Sequence, residues 1–166
     1  MYILLKNIIS PRLISDALSL YDEHYRVGHI NKQVFEYKMD GSKLPFHFEE
    51  FFHHTVVQEA RTKWDFKRYK FTNVKIRKYP TGTFYERHID FHQTEPNKIY
   101  LSFSITLNTH FEGGEFGLED DGRPRQIFNI KKGDGILFDA TNYHEVLPIT
   151  YGERMSLIGH FIADRN

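Results

Sequence analysis

A histidine and an aspartate separated by one residue, His88 and Asp90, are the first candidates for chemistry in this sequence. The surrounding residues predict a β-strand, on which side chains two apart project to the same face, so imidazole and carboxylate would lie side by side. Such a pair suits Fe(II), Mn(II) or Zn(II). His92 offers a competing pair with His88, but that spacing needs a helix. Because no helix start signal is present, we expect His92 on the surface or in a loop.

His144 is the candidate third ligand, since it follows a glycine-containing turn and a predicted strand later in the chain. Two histidines and one aspartate form a facial triad that leaves three coordination positions open. A closed structural zinc site would use four protein ligands. The chain has ten histidines and no cysteine. Any transition-metal site must therefore use imidazole and carboxylate, and disulfide scaffolds, iron–sulfur clusters and thiol catalysis are excluded.

Arg154 and Ser156 share one face of a strand predicted over Glu153–Ile162. On an interior face the guanidinium would need an anion, such as a carboxylate held by a bidentate fork. On a solvent-facing strand it would be an ordinary surface arginine. Polar residues alternate in the same way along the strand predicted over Ile99–Asn108: Ser102, Ser104 and Thr106. The alternation alone leaves open whether these faces meet solvent or line an interior site.

The elements that must position these residues change in character near residue 70. Before it, Ser10 and Pro11 predict the start of one helix and Pro45 predicts a second. The inward-facing residues of the two helices are expected to be Ile14, Ala17, Leu18 and Tyr21, then Phe48, Phe51, Phe52, Ala60 and Trp64. His53 and His54 are expected on the surface, since neighbouring helix positions point about 100° apart and do not easily share a metal.

After residue 70, short β-runs broken by turn signals predict an antiparallel barrel or a double-sheet jelly roll. The runs are Asn73–Tyr79, Phe84–Asp90, Ile99–Asn108, Glu115–Leu118, Gln126–Ile130, Gly135–Phe138, His144–Leu147 and Glu153–Ile162. We therefore expect one mainly β domain over residues 1–166, with 1–70 as a helical support region and 71–166 as the β core.

The composition of the chain bounds its partners and location. Its 166 residues, 40% hydrophobic and 16% aromatic, suffice for one compact domain with a real core. Twenty-two basic residues balance 22 acidic ones, which argues against bulk electrostatic binding of nucleic acid. No apolar run approaches the ~18 residues of a membrane span, so no membrane partner is expected. The apolar N-terminal stretch is too short for a secretory signal, and a cytoplasmic location is expected.

An ordered series of motifs over roughly residues 74–163 resembles the prolyl-4-hydroxylase-like branch of the Fe(II)/2-oxoglutarate-dependent dioxygenases. The combined H-x-D…H…R pattern is far more specific than any of its parts. The series is Tyr79-Pro80-x-Gly82-x-x-Tyr85-x-x-His88-x-Asp90, Leu107-Asn108, Phe111-Glu112-Gly113-Gly114-Glu115-Phe116, Lys132-Gly133-Asp134 with Phe138, His144-Glu145-Val146-x-Pro148-Ile149 and Gly152-Glu153-Arg154-x-Ser156-Leu157.

This resemblance implies a double-stranded β-helix flanked by α-helices, with Fe(II) bound by the triad of His88, Asp90 and His144. It implies that 2-oxoglutarate chelates the metal through its 2-oxo acid end and that dioxygen is the second co-substrate, with L-ascorbate as a candidate accessory reductant. The co-substrate's distal carboxylate would lie on Arg154. Further co-substrate contacts are implied for Tyr79, Ser156 and Thr106.

The implied activity is hydroxylation of a C–H bond with release of succinate and CO2, and a prolyl residue in a peptide or protein is the leading substrate. Many prolyl 4-hydroxylases have lysine at the position of Arg154, so a free amino acid or another small molecule stays open as the substrate. Nucleic-acid demethylation would call for a second arginine at the position of His160. A cupin-type dioxygenase or a zinc hydrolase would not explain the position of Arg154.

A non-catalytic jelly-roll binding module with a vestigial metal site is the alternative from another class, and the full ligand set argues against it. Two segments are candidates for the entrance of the site, or else solvated loops without a role: Phe91–Lys98 and Glu119–Arg125.

Overall fold

The computed structural model describes residues 1–24, 34–92 and 94–166. The elements before residue 66 are β1 (Tyr2–Leu5), α1 (Pro11–His24), β2 (Phe35–Asp40), α2 (Phe46–Phe51), a π-helical turn (Phe52–Val56) and α3 (Val57–Arg61). The later elements are β3 (Phe66–Pro80), β4 (Tyr85–His88), β5 (Lys98–Thr106), β6 (Phe111–Gly113), β7 (Phe116–Leu118), β8 (Gln126–Phe128), β9 (Gly135–Asp139), β10 (His144–Val146) and β11 (Ile149–Arg165).

The strands form two antiparallel sheets. The major sheet has the order β1-β9-β5-β11-β3-β2, with β6 also paired to β11, and the minor sheet has the order β4-β10-β7-β8. A buried cluster that includes Tyr79, Phe116, Phe138 and Val146 joins the inner faces of the two sheets. This arrangement is the double-stranded β-helix, and it confirms the predicted fold class. All eight predicted strands are present, with ends that differ by several residues.

The helices cover the outer face of the major sheet, and both begin where the sequence predicts. Ser10 caps α1 by accepting a hydrogen bond from the Leu13 N–H on its Oγ, at 3.2 Å. Phe52 is fully buried, and its ring centroid lies 5.3 Å from those of Phe71 on β3 and Phe103 on β5. Among the described residues no helix is long and apolar enough to cross a membrane.

The second helix departs from the predicted regular α-helix in its middle. The N–H of Val57 donates to the carbonyl of Phe52, five residues back, which is the π-helical pattern. This pattern brings residues five apart into alignment, so the pair Phe51–Phe52 lies over the pair Val56–Val57. All four side chains are buried in the core.

Three strands were not predicted from the sequence. β1 pairs with β9 and β2 pairs with β3, so both edge strands of the major sheet come from the region before residue 66. The third, β6, extends along β11 for three residues. The N-terminal region is therefore not helical throughout. β1 and β6 are too short to show a clear alternation, because each presents only one or two side chains to a buried face.

Replacing Phe52 with alanine should lower the free energy of unfolding by about 3–5 kcal/mol, because it leaves a cavity between the helices and the major sheet. Phe46 on α2 is the matched control, since its side chain is 68% exposed. Its alanine variant should stay within about 0.5 kcal/mol of the parent. Denaturant unfolding followed by circular dichroism measures both values, and equal effects would contradict this description of the core.

Candidate metal centre

The three predicted metal ligands meet at one end of the minor sheet. His88 is the last residue of β4 and His144 the first of β10, and the two are direct partners across the antiparallel pair. Asp90 follows β4, where its backbone N–H donates to the carbonyl of Ala140 at 3.0 Å. One ligand atom from each of the three lies within 4.8 Å of the others. The predicted pair does come together, but Asp90 lies beyond the end of β4 rather than on the predicted strand, and its contact with Ala140 fixes its position. Sheet pairing adds the third ligand.

Backbone carbonyls orient both imidazoles. Nδ1 of His88 lies 2.7 Å from the carbonyl oxygen of Glu86, and Nδ1 of His144 lies 3.0 Å from that of Asn142. Because a carbonyl only accepts, each Nδ1 carries a proton, which leaves Nε2 as the ring atom available to a metal. Both Nε2 atoms lie 3.4 Å from an oxygen of Asp90. This arrangement matches the outer-shell support that metal-binding histidines ordinarily have.

Two residues of the major sheet hold the Asp90 carboxylate. Ser102 on β5 donates its hydroxyl to Oδ2 at 2.6 Å, and Nδ1 of His160 on β11 lies 3.3 Å from the same oxygen. Ser102 and His160 are partners across the β5–β11 pair and lie 2.8 Å apart. From the sequence, Ser102 was expected on a polar strand face, and neither residue was assigned this role. The signal that was available is that the polar residues of the two strands form one continuous face of the sheet once the strands pair.

Burial and charge set the protonation of the trio. Burial would raise the pKa of Asp90, but the surrounding imidazoles of His160, His88 and His144 hold that pKa well below its usual range. Burial lowers the pKa of His144 to about 4, against the opposing attraction of Asp90. At neutral pH the aspartate is therefore anionic and His144 neutral, which are the forms that bind a metal.

The predicted co-substrate residues also come together, on the inner face of the major sheet. Arg154 lies opposite Tyr79 across the β11–β3 pair, and Ser156 lies opposite Thr106 across the β11–β5 pair. Arg154 is 1% exposed; it donates to Thr106 Oγ1 at 3.3 Å, and its guanidinium carbon is 5.5 Å from the centroid of the Tyr79 ring. Gly114 makes room for it, since a Cβ there would lie 2.9 Å from Arg154 Cδ.

Arg154 and Ser156 carry buried polar atoms that the fold does not satisfy. Nη1 of Arg154 and the hydroxyl of Ser156 have no hydrogen-bond partner, and within the described ranges no carboxylate forms an ion pair with Arg154. Burial also lowers the pKa of Arg154, because it removes the charged guanidinium from water. A buried guanidinium without an anion is costly, so this pocket is suited to a carboxylate ligand. The prediction of an interior arginine is thereby met, and its role remains a prediction.

The cavity beside the trio is lined by both sheets and includes cations that sequence analysis missed. Tyr79, Tyr85, Phe116 and Phe138 contribute aromatic walls, and the trio lies between them and Ser102, Ser104 and His160. Lys75 and Arg77 on β3 also line it. They occur in a strand of alternating basic and apolar residues that resembles a solvated edge, so the sequence alone gave no reason to choose them.

Neither candidate entrance segment lines this cavity in the part of the chain described here. The Glu119–Arg125 turn is instead held by ion pairs on the surface, from Arg87 to Glu119 and from Arg125 to Glu145. In Phe91–Lys98, where Gln93 lies outside the described residues, Phe91 packs on Tyr100. His92 is exposed, as expected.

The donor set fits a divalent transition metal with open coordination positions. Two neutral imidazoles and one carboxylate suit Fe(II) and leave positions for an oxygen-donor ligand and dioxygen. The unsatisfied atoms of Arg154 and Ser156 fit the distal carboxylate of 2-oxoglutarate. The residues present therefore fit both the metal and the co-substrate named by the resemblance.

Solved structures with the same architecture are known. An oxidoreductase of the 2OG-Fe(II) oxygenase family from Burkholderia pseudomallei superposes with a TM-score of 0.75 at 19% identity, covering 99% of this chain and 86% of that one. A prolyl-4-hydroxylase from Pseudomonas putida superposes with a TM-score of 0.72 at 17% identity, covering 99% and 92%. At these identities the likeness establishes the fold.

Sequence comparison establishes the family. A PKHD-type hydroxylase from Idiomarina loihiensis is 32% identical over 88 residues, which are 52% of this chain and 40% of that protein. The chain thus spans well under half the length of the curated relatives it matches. The family model of the 2OG-Fe(II) oxygenase superfamily matches residues 74–162, which contain the trio and Arg154. The chain belongs to the 2OG-Fe(II) oxygenase superfamily.

Proposed function

We propose that this chain is a hydroxylase that uses Fe(II), 2-oxoglutarate and dioxygen, with the metal on His88, Asp90 and His144. The observation that supports this most directly is a facial ligand set that meets the inner face of the major sheet, which also carries a buried guanidinium without its own anion. A zinc hydrolase would need the first feature alone. A co-substrate that binds a metal at one end and carries a carboxylate at the other needs both.

When bound, Fe(II) supplies the activation of dioxygen that couples decarboxylation of 2-oxoglutarate, giving succinate and CO2, to insertion of one oxygen atom into a substrate C–H bond. The protein's part is to fix geometry and charge. The backbone carbonyls of Glu86 and Asn142 hold the two imidazoles with Nε2 beside Asp90, where both nitrogens can bind the metal. Arg154 would hold the distal carboxylate through Nη1, and the hydroxyl of Ser156 would donate to it.

Aromatic rings shield the ligands from water. The ring of Phe138 lies 4.6 Å from that of His144, and the ring of Phe116 stacks on the same imidazole at 5.8 Å. Tyr85 lies 4.4 Å from His88 by ring centroids. An apolar wall of this kind lowers the local dielectric and excludes bulk water from reactive intermediates.

A prolyl residue in a peptide or protein is the leading substrate class in this proposal. This substrate class is supported by the similarity of the chain to a PKHD-type hydroxylase and to a prolyl-4-hydroxylase. A free amino acid or another small molecule is the alternative substrate class. It stays open because Arg154 stands where many prolyl 4-hydroxylases have lysine. Succinate formation measured across prolyl peptides and free amino acids separates the two classes.

Replacing Asp90 with alanine should reduce both iron content and succinate formation by at least about a hundredfold, because the trio loses its carboxylate. His88→Ala should do the same. His92→Ala is the matched control, since His92 is exposed and outside the trio. Bound iron is measured by mass spectrometry and succinate by NMR, with circular dichroism as the check on folding.

Full iron binding and turnover in Asp90→Ala or His88→Ala would contradict this ligand assignment. A parent protein that binds Fe(II) but forms no succinate, with or without candidate substrates, would instead identify a non-catalytic binding module.

Replacing Arg154 with methionine should act in opposite directions on binding and stability. Loss of the buried cation should raise the Kd for 2-oxoglutarate by at least about thirtyfold. The unfolding midpoint without 2-oxoglutarate should stay equal or rise, because an unpaired buried charge is removed. Arg68→Met, an exposed change on β3, should alter neither value. Calorimetry with Mn(II)-loaded protein and denaturant unfolding measure the two effects, and an unchanged Kd would remove the role assigned to Arg154.

A further inference from the structure

Strand β3 presents two cations to the cavity of the metal centre. Lys75 and Arg77 are two residues apart on β3, so their side chains lie on the same face of the strand. Both line the cavity together with Asp90. Neither belongs to the ligand trio or to the group around Arg154. Their positions are set by pairing with β11, where Lys75 lies opposite Ile158 and Arg77 opposite Ser156.

Arg77 has its own counter-ion. Its Nε and Nη2 donate to Glu36 Oε2 on β2 at 3.1 and 2.9 Å, and its Nη1 donates to the hydroxyl of Tyr79 at 3.2 Å. Its guanidinium carbon also lies 4.4 Å from the centroid of the Tyr85 ring. These contacts give each guanidinium nitrogen of Arg77 a partner and neutralise its charge, so Arg77 acts as part of the cavity wall.

Lys75 has no such partner. Within residues 1–24, 34–92 and 94–166 no carboxylate lies within 4.0 Å of its ammonium group, and no hydrogen bond to it is formed. The charges that influence it are attractive ones on Glu36 and Asp90 and repulsive ones on Arg77 and Lys38. Burial lowers the pKa of Lys75, which is the direction expected for a cation without an anion.

The balance of charge in the loaded site leaves Lys75 in need of an anion. Glu36 neutralises Arg77. A divalent metal on Asp90 leaves one net positive charge, and Arg154 adds another; the 2-oxoglutarate dianion offsets these two. Lys75 is then the one cation lining the described cavity without compensation. Because a partly buried ammonium beside a positive metal centre is unfavourable, a further negative group would stabilise the loaded site.

We propose that Lys75 binds a carboxylate of the substrate, so that the molecule hydroxylated here carries a carboxylate close to the reacting carbon. This inference rests on the proposed function and narrows its substrate class. The carboxylate has two possible sources: the α-carboxylate of a free amino acid, or an acidic side chain beside the target residue of a peptide. Lys75 would bind the carboxylate from either source.

The position of Lys75 separates it from the co-substrate anchor. Arg154 lies opposite Tyr79 and Ile158 opposite Lys75, so the two cations belong to register positions four residues apart. Four residues of extended strand span about 13 Å. Lys75 lines the cavity together with Asp90, whereas Arg154 does not line it and lies beside the Tyr79 ring, 5.5 Å from its centroid. One carboxylate of 2-oxoglutarate is assigned to Arg154 and the other end to the metal, which leaves Lys75 for the substrate.

The test compares probes that differ only in one carboxylate. The first pair is L-proline and L-prolinamide; the second is a prolyl peptide, blocked at both ends, with glutamate or glutamine beside the proline. Succinate formation is measured with Fe(II) and 2-oxoglutarate. A second measurement needs no turnover: proton relaxation of each probe by protein loaded with Mn(II) and 2-oxoglutarate. The parent should favour the carboxylate member of at least one pair at least about tenfold.

Variants on the same strand assign that preference to Lys75. Lys75→Met should reduce it to within about twofold, whereas Lys75→Arg should retain it because the charge is kept. Lys70→Met is the matched control, an exposed lysine on β3 that does not line the cavity, and should behave as the parent. The pair that shows the effect identifies the source of the carboxylate.

Three results would overturn the inference: no preference in the parent, an unchanged preference in Lys75→Met, or a raised KM for 2-oxoglutarate in Lys75→Met with substrate preference intact. The last would assign Lys75 to the co-substrate. Failure of the proposed function gives a different result, because the parent would then form no succinate. The Mn(II)-loaded parent would still enhance proton relaxation of the carboxylate probe, and Mn(II)-loaded Lys75→Met would not.

Discussion

The pairing of β11 with its two neighbours is the constraint on which the rest of the molecule depends. This strand of 17 residues is hydrogen-bonded to β3 on one side and to β5 on the other. Its outer face carries Met155, Leu157 and Phe161 into the core beneath the helices, and its inner face carries Arg154, Ser156 and His160. A slip of one residue would exchange the two faces, placing a guanidinium in the aromatic core, so packing on both sides fixes the register.

The inner face that this register creates is polar and incompletely satisfied, which is unusual for the interior of a small domain. Unpartnered atoms on Arg154 and Ser156 and an uncompensated Lys75 reduce the stability of the unloaded fold. The extensive aromatic packing between the helices and the outer face offsets that cost. Anions that bind inside satisfy the same groups, so their binding is coupled to the stability of the fold.

The sequence predicted the parts of the molecule that depend on local spacing. The Ser10 cap and the eight predicted β-runs follow from single capping positions or from periods of two residues, and the closeness of His88 and Asp90 follows from their short separation in the chain. His144 and Arg154 could be predicted because several motifs occur in a fixed order along the chain. The β1 and β2 edges, the π-helical turn at Phe52 and the Ser102–Asp90–His160 contacts were not. These depend on which strands become neighbours and in what register, and a single sequence does not contain that information in local form.

The supports of the trio differ in kind. Each imidazole is fixed by the carbonyl oxygen of the residue two positions before it, and every amino acid has that carbonyl. Side-chain replacements at Glu86 or Asn142 therefore leave the orientation of the histidines intact. Asp90, in contrast, depends on the side chains of Ser102 and His160. The hydrogen bonds that orient the nitrogen ligands thus tolerate any side chain at Glu86 or Asn142, whereas a replacement at Ser102 or His160 acts directly on the carboxylate.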